Sequence, residues 1–338
     1  CSVLPADGPA GEPPFFGTGP LLAALRGDAP YDVSVASGTP GVLLGAHRCI
    51  LRARCAPLAL RLRQAADGAG AGRAWALDLA AYGAPCVRAL LEYLYTDFCR
   101  AGTDVAAELR PLAKELELGR LGEGIATATE STSLGAGLRW VRTGGRWEQV
   151  ESQEGNGGAG PATASSYVGD LEGLVTEEEP PEDLDYVRLV VRGADGGGPP
   201  RVVHAARPVL LTIDFFRAWL EGGFAEAQCF SNGLQVAELS VDDADAFVLC
   251  LRMVVSGNHG LLPSSADEIW AIVVEAHRLQ LVDVVSAAEA ALCHVIEEGT
   301  VDATMHEFLA AAADLYSLPK IRNAISNIAG AAAEQSAA

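Results

Sequence analysis

Two stretches decide how this chain is organised: GAHRCILRARCAPLALRLR at residues 45–63 and VVHAARPVLLTIDFFRAWL at residues 202–220. In each, a His follows a short aliphatic run and precedes an apolar segment that has helical spacing and contains Arg. This order predicts a strand that leads directly into a helix. Because the phrase occurs twice, about 160 residues apart, we expect two copies of one structural unit.

Further landmarks repeat in the same order along the chain. LLEYLYTD (90–97) can be set against CLRMVVSG (250–257), and AKELEL (113–118) against AHRLQL (276–281). Three short alternating segments in each half predict strands: YDVSVAS, GVLLGAH and AWALDL in the first half, and YVRLVVRG, RVVHA and GLQVAEL in the second. Each copy therefore predicts two strands, helices, a third strand and more helices, which is a small α+β unit with a helical majority.

These sequence segments resemble those of the BTB/POZ domain. YDVSVASG and GAHRCILRARCAPL are similar to the opening of that domain, ALLEYLYTD to its central helix, and LAKELELGRL to the helix that follows. The second copy diverges more, since Val254-Val255-Ser256 stand where Leu94-Tyr95-Thr96 stand in the first. The resemblance implies an α+β fold with two BTB/POZ-like domains and a C-terminal helical pair, a tandem arrangement that ankyrin/BTB and Rho-related BTB proteins also have.

Composition and the repeat together predict the domain boundaries. We expect a disordered start at 1–18, a first BTB-like domain at 19–125, an acidic linker rich in Gly and Pro at 126–183, a second BTB-like domain at 184–297, a C-terminal helical pair at 301–330 and a tail at 331–338. The linker contains GNGGAGPATASS and EEEPPEDLD, a composition typical of flexible, self-repelling segments. Within it, residues 138–150 alternate on both sides of Thr-Gly-Gly and predict a hairpin.

Charge and hydropathy exclude several classes of function. The chain has a net charge of −20, and residues 126–185 alone contain 3 basic and 12 acidic residues. Such a chain repels phosphate backbones, so we expect no nucleic-acid partner. No apolar run reaches the roughly 18 residues that a membrane span needs. The 8 Cys residues form no CxxC cluster, which favours reduced thiols in the cytoplasm or nucleus.

The two repeated histidines, His47 and His204, are candidates for chemistry. A catalytic His needs a nucleophile and an orienting acid, and a metal site needs clustered ligands; neither set recurs in both copies. We interpret both as structural residues whose ring packs and whose nitrogen caps the following helix or bonds the backbone. The GxGxxG at 155–160 is followed by PATASS rather than by a helix, so we read it as linker. The sequence therefore predicts no enzyme activity, no cofactor and no metal site.

The stretch DFFRAWLEGGFAEAQ (214–228) is the candidate protein-interaction site. Its large apolar residues are Phe215, Phe216, Trp219, Leu220 and Phe224. A helix core absorbs about three of them, for which we expect Phe216, Trp219 and Leu220, so the others indicate a surface that a partner covers; the alternative is a loop that closes on the core. In BTB proteins that recruit cullin-three ubiquitin ligases, a hydrophobic-x-Glu signature lies here, and Phe224-Ala225-Glu226 fits it. The corresponding RLRQAADGAGAGR of the first copy has no such triplet.

The resemblance also implies self-association. BTB-like domains commonly pair through an N-terminal helix, and Leu21, Leu22 and Leu25 in PLLAALRGD fit that helix in the first copy, while GDLEGLV (169–175) is the candidate in the second. A homodimer and an internal pair of the two domains both remain open. We therefore expect a protein-interaction adaptor, more specifically a substrate adaptor of a cullin-RING E3 ubiquitin ligase; the alternative is an oligomerising scaffold or transcriptional co-regulator.

Overall fold

The computed structural model describes residues 19–67, 75–127, 133–135, 138–143, 146–151, 167–181, 185–194, 199–222, 230–231, 234–257, 259–299 and 301–327. The chain forms two compact units, residues 1–174 (unit 1) and residues 175–338 (unit 2). Each unit contains many helices and a small sheet of mixed strand direction, so the fold is α+β.

The central sheet of unit 1 has the strand order β2 (Leu43–Ala46), β1 (Val33–Ser37), β3 (Trp75–Leu79). β1 is antiparallel to β2 and parallel to β3. The parallel pairing is possible because a long crossover with helices separates β1 from β3 in the chain.

Helices surround this sheet. They are α1 (Gly19–Ala23), which continues as a π-helical turn to Asp28, α2 (Arg48–Arg54), α3 (Ala56–Asp67), α4 (Ala84–Thr96), α5 (Thr103–Glu115) and α6 (Gly119–Thr127). α4 is buried along most of its length. A helix that is apolar on nearly all sides is stable only inside a core, and α4 forms the centre of unit 1.

The segment at 126–183, expected as a linker, contains several ordered elements. They are β5 (Ser133–Gly135), which pairs with β4 (Phe98–Arg100), then β6 (Leu138–Thr143), β7 (Arg146–Glu151), α7 (Tyr167–Glu172) and β8 (Val175–Thr176). β6 and β7 form an antiparallel hairpin in which Thr143 is opposite Arg146. α7 packs on α2, where Leu171 and Leu174 are buried. The division between the units therefore falls between Leu174 and Val175.

Unit 2 has a sheet with the same central arrangement. Its strand order is β11 (Phe230–Ser231), β12 (Leu234–Val241), β9 (Tyr186–Gly193), β10 (Arg201–Ala206), β8. β9 is antiparallel to β10 and parallel to β12, as β1 is to β2 and β3. In unit 2, β8 adds a further antiparallel strand to the outer edge of β10.

The helices of unit 2 follow the order of unit 1 and then extend it. They are α8 (Arg207–Leu210), α9 (Asp214–Glu221), α10 (Ala244–Ser256), α11 (Ala266–Arg278), α12 (Val282–Glu297), α13 (Ala303–Leu315) and α14 (residues 319–327). α4 and α10 both have 13 residues and both end at a left-handed residue, Asp97 in one and Gly257 in the other.

One helix ending occurs three times. After α5, α11 and α13 the chain turns through a left-handed residue with a side chain, at Glu117, Gln280 and Ser317. In each turn the N–H of the next residue, a Leu, donates to the carbonyl of an Ala five residues earlier at 2.8–2.9 Å. This is the Schellman ending, which satisfies free carbonyls and buries the following apolar residue. The helical pair α13–α14 is thus a third copy of the helical hairpin that α5–α6 and α11–α12 form.

Candidate protein-interaction site

α9 presents two different apolar edges. Phe216 and Leu220, one turn apart, are buried, and the Phe216 ring meets the Phe247 ring edge to face at 6.3 Å. Phe215 and Trp219, also one turn apart, are only half-buried. Residues four apart lie on one side of a helix, so Phe215 and Trp219 form a ridge beside the buried edge. We call this pair the α9 ridge.

The structure brings only part of the sequence-predicted site together. Phe216 and Leu220 belong to the core, and Trp219, which we expected in the core, is half-buried instead. Phe224 and Glu226 lie outside the described residues.

The equivalent helix of unit 1 has no such ridge. α3 also buries two residues one turn apart, Leu58 and Leu62, as α9 buries Phe216 and Leu220. When these buried pairs are set against each other, Pro57 and Arg61 of α3 correspond to Phe215 and Trp219 of α9. Arg61 donates to the carboxylate of Glu115 instead of presenting an apolar surface.

The candidate dimerisation residues of α1 are not equally accessible. Leu21 is fully buried and its helix packs on α4 of the same unit, so Leu21 belongs to the core. Leu22 and Leu25 are half-buried. Of these three leucines, a partner can therefore contact Leu22 and Leu25 but not Leu21.

His47 is a fully buried residue that bridges two elements. Its backbone N–H donates to Tyr95 Oη at 2.8 Å, and its Nδ1 lies 2.8 Å from the same oxygen. The Tyr31 ring packs 5.2 Å from the imidazole and covers Gly45, where a Cβ would meet the ring at 2.1 Å. His47 is the N-cap residue of α2, but its ring makes no capping bond. The ring joins β2 to α4 rather than capping the helix.

His204 has no equivalent partner. It lies within β10 and is only 2% exposed, yet among the described residues neither ring nitrogen has a hydrogen-bond partner. The position that matches Tyr95 at the end of α10 is Val255, which has no hydroxyl group. The nearest opposite charge is Glu179, whose Oε2 lies 3.8 Å from Nε2. The ring does not cap α8, whose N-cap residue is Ala206, but it lies close to the Glu178 backbone, which favours the protonated imidazole.

A buried cation, Arg54, organises the surface between α2, α4 and α7. Its guanidinium donates to Asp97 at 2.6 Å, to Asp170 of α7 at 2.5 Å and to the Leu94 carbonyl at 3.1 Å. Asp97 also accepts from Arg120 at 2.9 Å. Burial raises the pKa of the Asp97 and Asp170 carboxyls, and the charge of Arg54 opposes that shift. Sequence reasoning missed this cluster because its members are up to 116 positions apart.

Within the described residues, no group of three or more His, Cys, Asp or Glu is placed to hold a metal ion. Among the same residues, no helix has the length and apolar character needed to cross a membrane. No protein-family model matches the chain, and no curated protein matches it.

Proposed function

We propose that this chain is a protein-interaction adaptor built from two BTB/POZ-like domains, and more specifically a substrate adaptor of a cullin-RING E3 ubiquitin ligase. The observation that supports it best is the half-buried α9 ridge, next to the Phe224-Ala225-Glu226 triplet in the sequence. A partner that covers two half-exposed aromatic side chains gains apolar burial, and aromatic residues dominate such contacts. This function would act in the cytoplasm or nucleus.

The repeated architecture supports the BTB-like part of the proposal. Both units pair their central strand antiparallel to the next strand and parallel to the third. In both units, a buried helix of 13 residues then precedes a helical hairpin; it is α4 in unit 1 and α10 in unit 2. The resemblance found in the sequence implies this order of elements, and the divergent second copy keeps it.

The two units would have different roles. Since α3 has Pro57 and Arg61 where α9 has its ridge, cullin binding falls to unit 2. Unit 1 is left for self-association, through Leu22 and Leu25, or for substrate capture.

The test is a titration of the intact chain with a purified cullin-three N-terminal domain. Trp219→Ala should weaken binding about tenfold or more, because truncating a central aromatic residue usually costs over 1–2 kcal/mol. Phe224→Ala and Glu226→Lys should weaken it as well. Leu60→Ala is the matched control, since Leu60 is 55% exposed on the equivalent helix of unit 1.

Two results would contradict this function. Either the intact chain does not bind the cullin fragment, or Trp219→Ala, Phe224→Ala and Glu226→Lys all bind it as the Leu60→Ala control does.

The alternative is a scaffold or transcriptional co-regulator that only oligomerises. The partly exposed Leu22 and Leu25 on α1 favour it. This alternative predicts a dimer or a larger species by sedimentation, and no affinity for the cullin fragment.

A further inference from the structure

Two basic side chains on the sheet of unit 2 have buried nitrogens that no hydrogen bond of good geometry satisfies. Among the described residues, these are both ring nitrogens of His204 and Nε of Arg188, although the Glu178 backbone lies close to the His204 ring. An unpaired buried polar group has lost its hydrogen bonds to water without replacement, so native proteins rarely keep several side by side. Such a pair indicates a place where an anionic group binds.

These two residues share one face of the sheet with Thr176. In the register of the strands, Thr176 of β8 is opposite His204 of β10, and His204 is opposite Arg188 of β9. Directly opposed side chains lie on the same face, with Cβ atoms about 5 Å apart. On the opposite face the neighbours Val187 and Val203 are fully buried against the core. The three polar residues therefore form a row across the outer face.

Thr176 is the accessible end of that row. Its side chain is half-buried, and its hydroxyl oxygen accepts from the Glu178 N–H at 3.0 Å. It lies on a two-residue edge strand, which two residue pairs join to β10. Three glutamates follow it directly, at 177–179.

From this juxtaposition we propose that Thr176 is a phosphorylation site, and that His204 and Arg188 bind the phosphoryl group. The TEEE sequence suits a protein kinase with a basic substrate groove. Thr176 Oγ1 attacks the γ-phosphorus of Mg·ATP, and its proton passes to the catalytic carboxylate of the kinase. The bond from the γ-phosphorus to the bridging oxygen breaks, and ADP leaves with that electron pair. The proposal does not depend on cullin binding.

The glutamates do not prevent this binding. Glu177 is engaged with Arg201 and Arg252, and Glu179 is 67% exposed, so it can turn into solvent. A phosphoryl group carries nearly two negative charges and three acceptor oxygens. Its charge favours protonation of His204, so it can bind both the imidazolium and the Arg188 guanidinium more strongly than Glu179 does through the 3.8 Å contact with His204. Phosphorylation of Thr176 would therefore stabilise the pairing of β8 with β10.

The first test is modification of the full chain by casein kinase 2, an acidophilic kinase, with site-resolved mass spectrometry. We expect phosphate on Thr176, slower modification in Glu179→Lys, and none at this position in Thr176→Val. The proposal fails if Thr176 stays unmodified while a TEEE peptide is phosphorylated in the same reaction.

The second test asks whether His204 and Arg188 hold the group. In a phosphorus NMR titration, the second ionisation of the phosphothreonine should have its midpoint about one pH unit below that of the free phosphopeptide, because nearby cations favour the dianion. The midpoint should return toward the peptide value in Arg188→Gln and in His204→Phe, each checked for folding by circular dichroism. Inorganic phosphate added to unmodified chain tests for a free-anion site. If the midpoint in the phosphorylated, otherwise unaltered chain equals that of the free phosphopeptide, His204 and Arg188 do not bind the phosphoryl group.

Discussion

Two histidines at matching places in the two copies have different surroundings, and a single residue on another helix causes the difference. Tyr95 at the end of α4 bonds both the backbone and the ring of His47. Val255 at the end of α10 offers no such bond to His204. The sequence predicts a structural role for His47 but not this partner, because Tyr95 lies 48 positions away.

Tyr95→Phe should destabilise unit 1 by about 1–3 kcal/mol, because it leaves the His47 N–H and Nδ1 buried without their shared partner. Urea unfolding of the full chain measures the effect. Tyr93→Phe, on the same helix, is the matched control and should cost less. An equal loss in the two variants would mean that the His47 bond contributes nothing specific.

Stability should fall as the pH drops below about 6.5. Burial lowers the pKa of both His47 and His204 from 6.5, although Asp32 and Glu179 act in the opposite direction. The unfolded chain therefore takes up these protons at a higher pH than the folded chain, and acid favours unfolding. Urea unfolding between about pH 7.5 and about pH 5.5 measures the loss. The loss of stability should be smaller in His204→Phe. An equal loss in that variant would mean that His204 does not contribute to the pH dependence.

At the scale of elements, sequence periodicity predicts the long helices and the central strands well, because their apolar spacing is regular. It does not by itself predict α7, which the resemblance indicated as the pairing helix of the second copy and which instead packs on α2 of unit 1. The GDLEGLV segment is short and lies in a stretch of high negative charge, so its composition resembles a linker. Its order depends on tertiary contacts, namely the burial of Leu171 and Leu174 and the ion pair of Asp170 with Arg54. Contacts of this kind cannot be read from local spacing.

Arg54→Met tests that cluster. The substitution leaves Asp97 and Asp170 without their buried cation. Removing one partner of a buried ion pair lowers the free energy of unfolding by about 3–5 kcal/mol. The measurement is the free energy of unfolding in urea. Arg120→Met, which removes a cation with a 32% exposed side chain, is the control and should cost much less. Adding Asp170→Asn to Arg54→Met should recover part of the loss; no recovery would argue against an electrostatic origin.

The repeated helix ending allows a stabilising change. Gln280 has a φ of 59°, a left-handed conformation that costs a residue with a side chain but not glycine. Gln280→Gly should therefore raise the free energy of unfolding by about 0.5–1 kcal/mol, less the extra entropy of the unfolded chain. Gln280→Ala, which keeps the Cβ, should give no gain. A loss of stability in the glycine variant would show that the Gln280 side chain makes contacts that outweigh backbone strain.

At the scale of the whole molecule, the repeat is the feature that the sequence predicts best, since the same phrases recur in the same order and the two units have the same central strand pairing. The candidate site is predicted less well. Amphipathic spacing alone does not tell which of five apolar residues in one stretch face the core. Burial assigns Phe216 and Leu220 to the core and leaves Phe215 and Trp219 half-buried.

The asymmetry between α9 and α3 leads to a prediction about stoichiometry. If the α9 ridge is the cullin contact, each chain has one binding site, because Pro57 and Arg61 occupy the matching positions of α3. Light scattering of the 35.1 kDa chain with excess cullin fragment should then give one added fragment per chain, whether the chain itself is a monomer or a dimer. Trp219→Ala should reduce the complex, and Leu60→Ala should not. Two fragments per chain would mean that unit 1 binds as well and that the ridge is not what selects unit 2, whereas no added mass would favour the oligomerising scaffold.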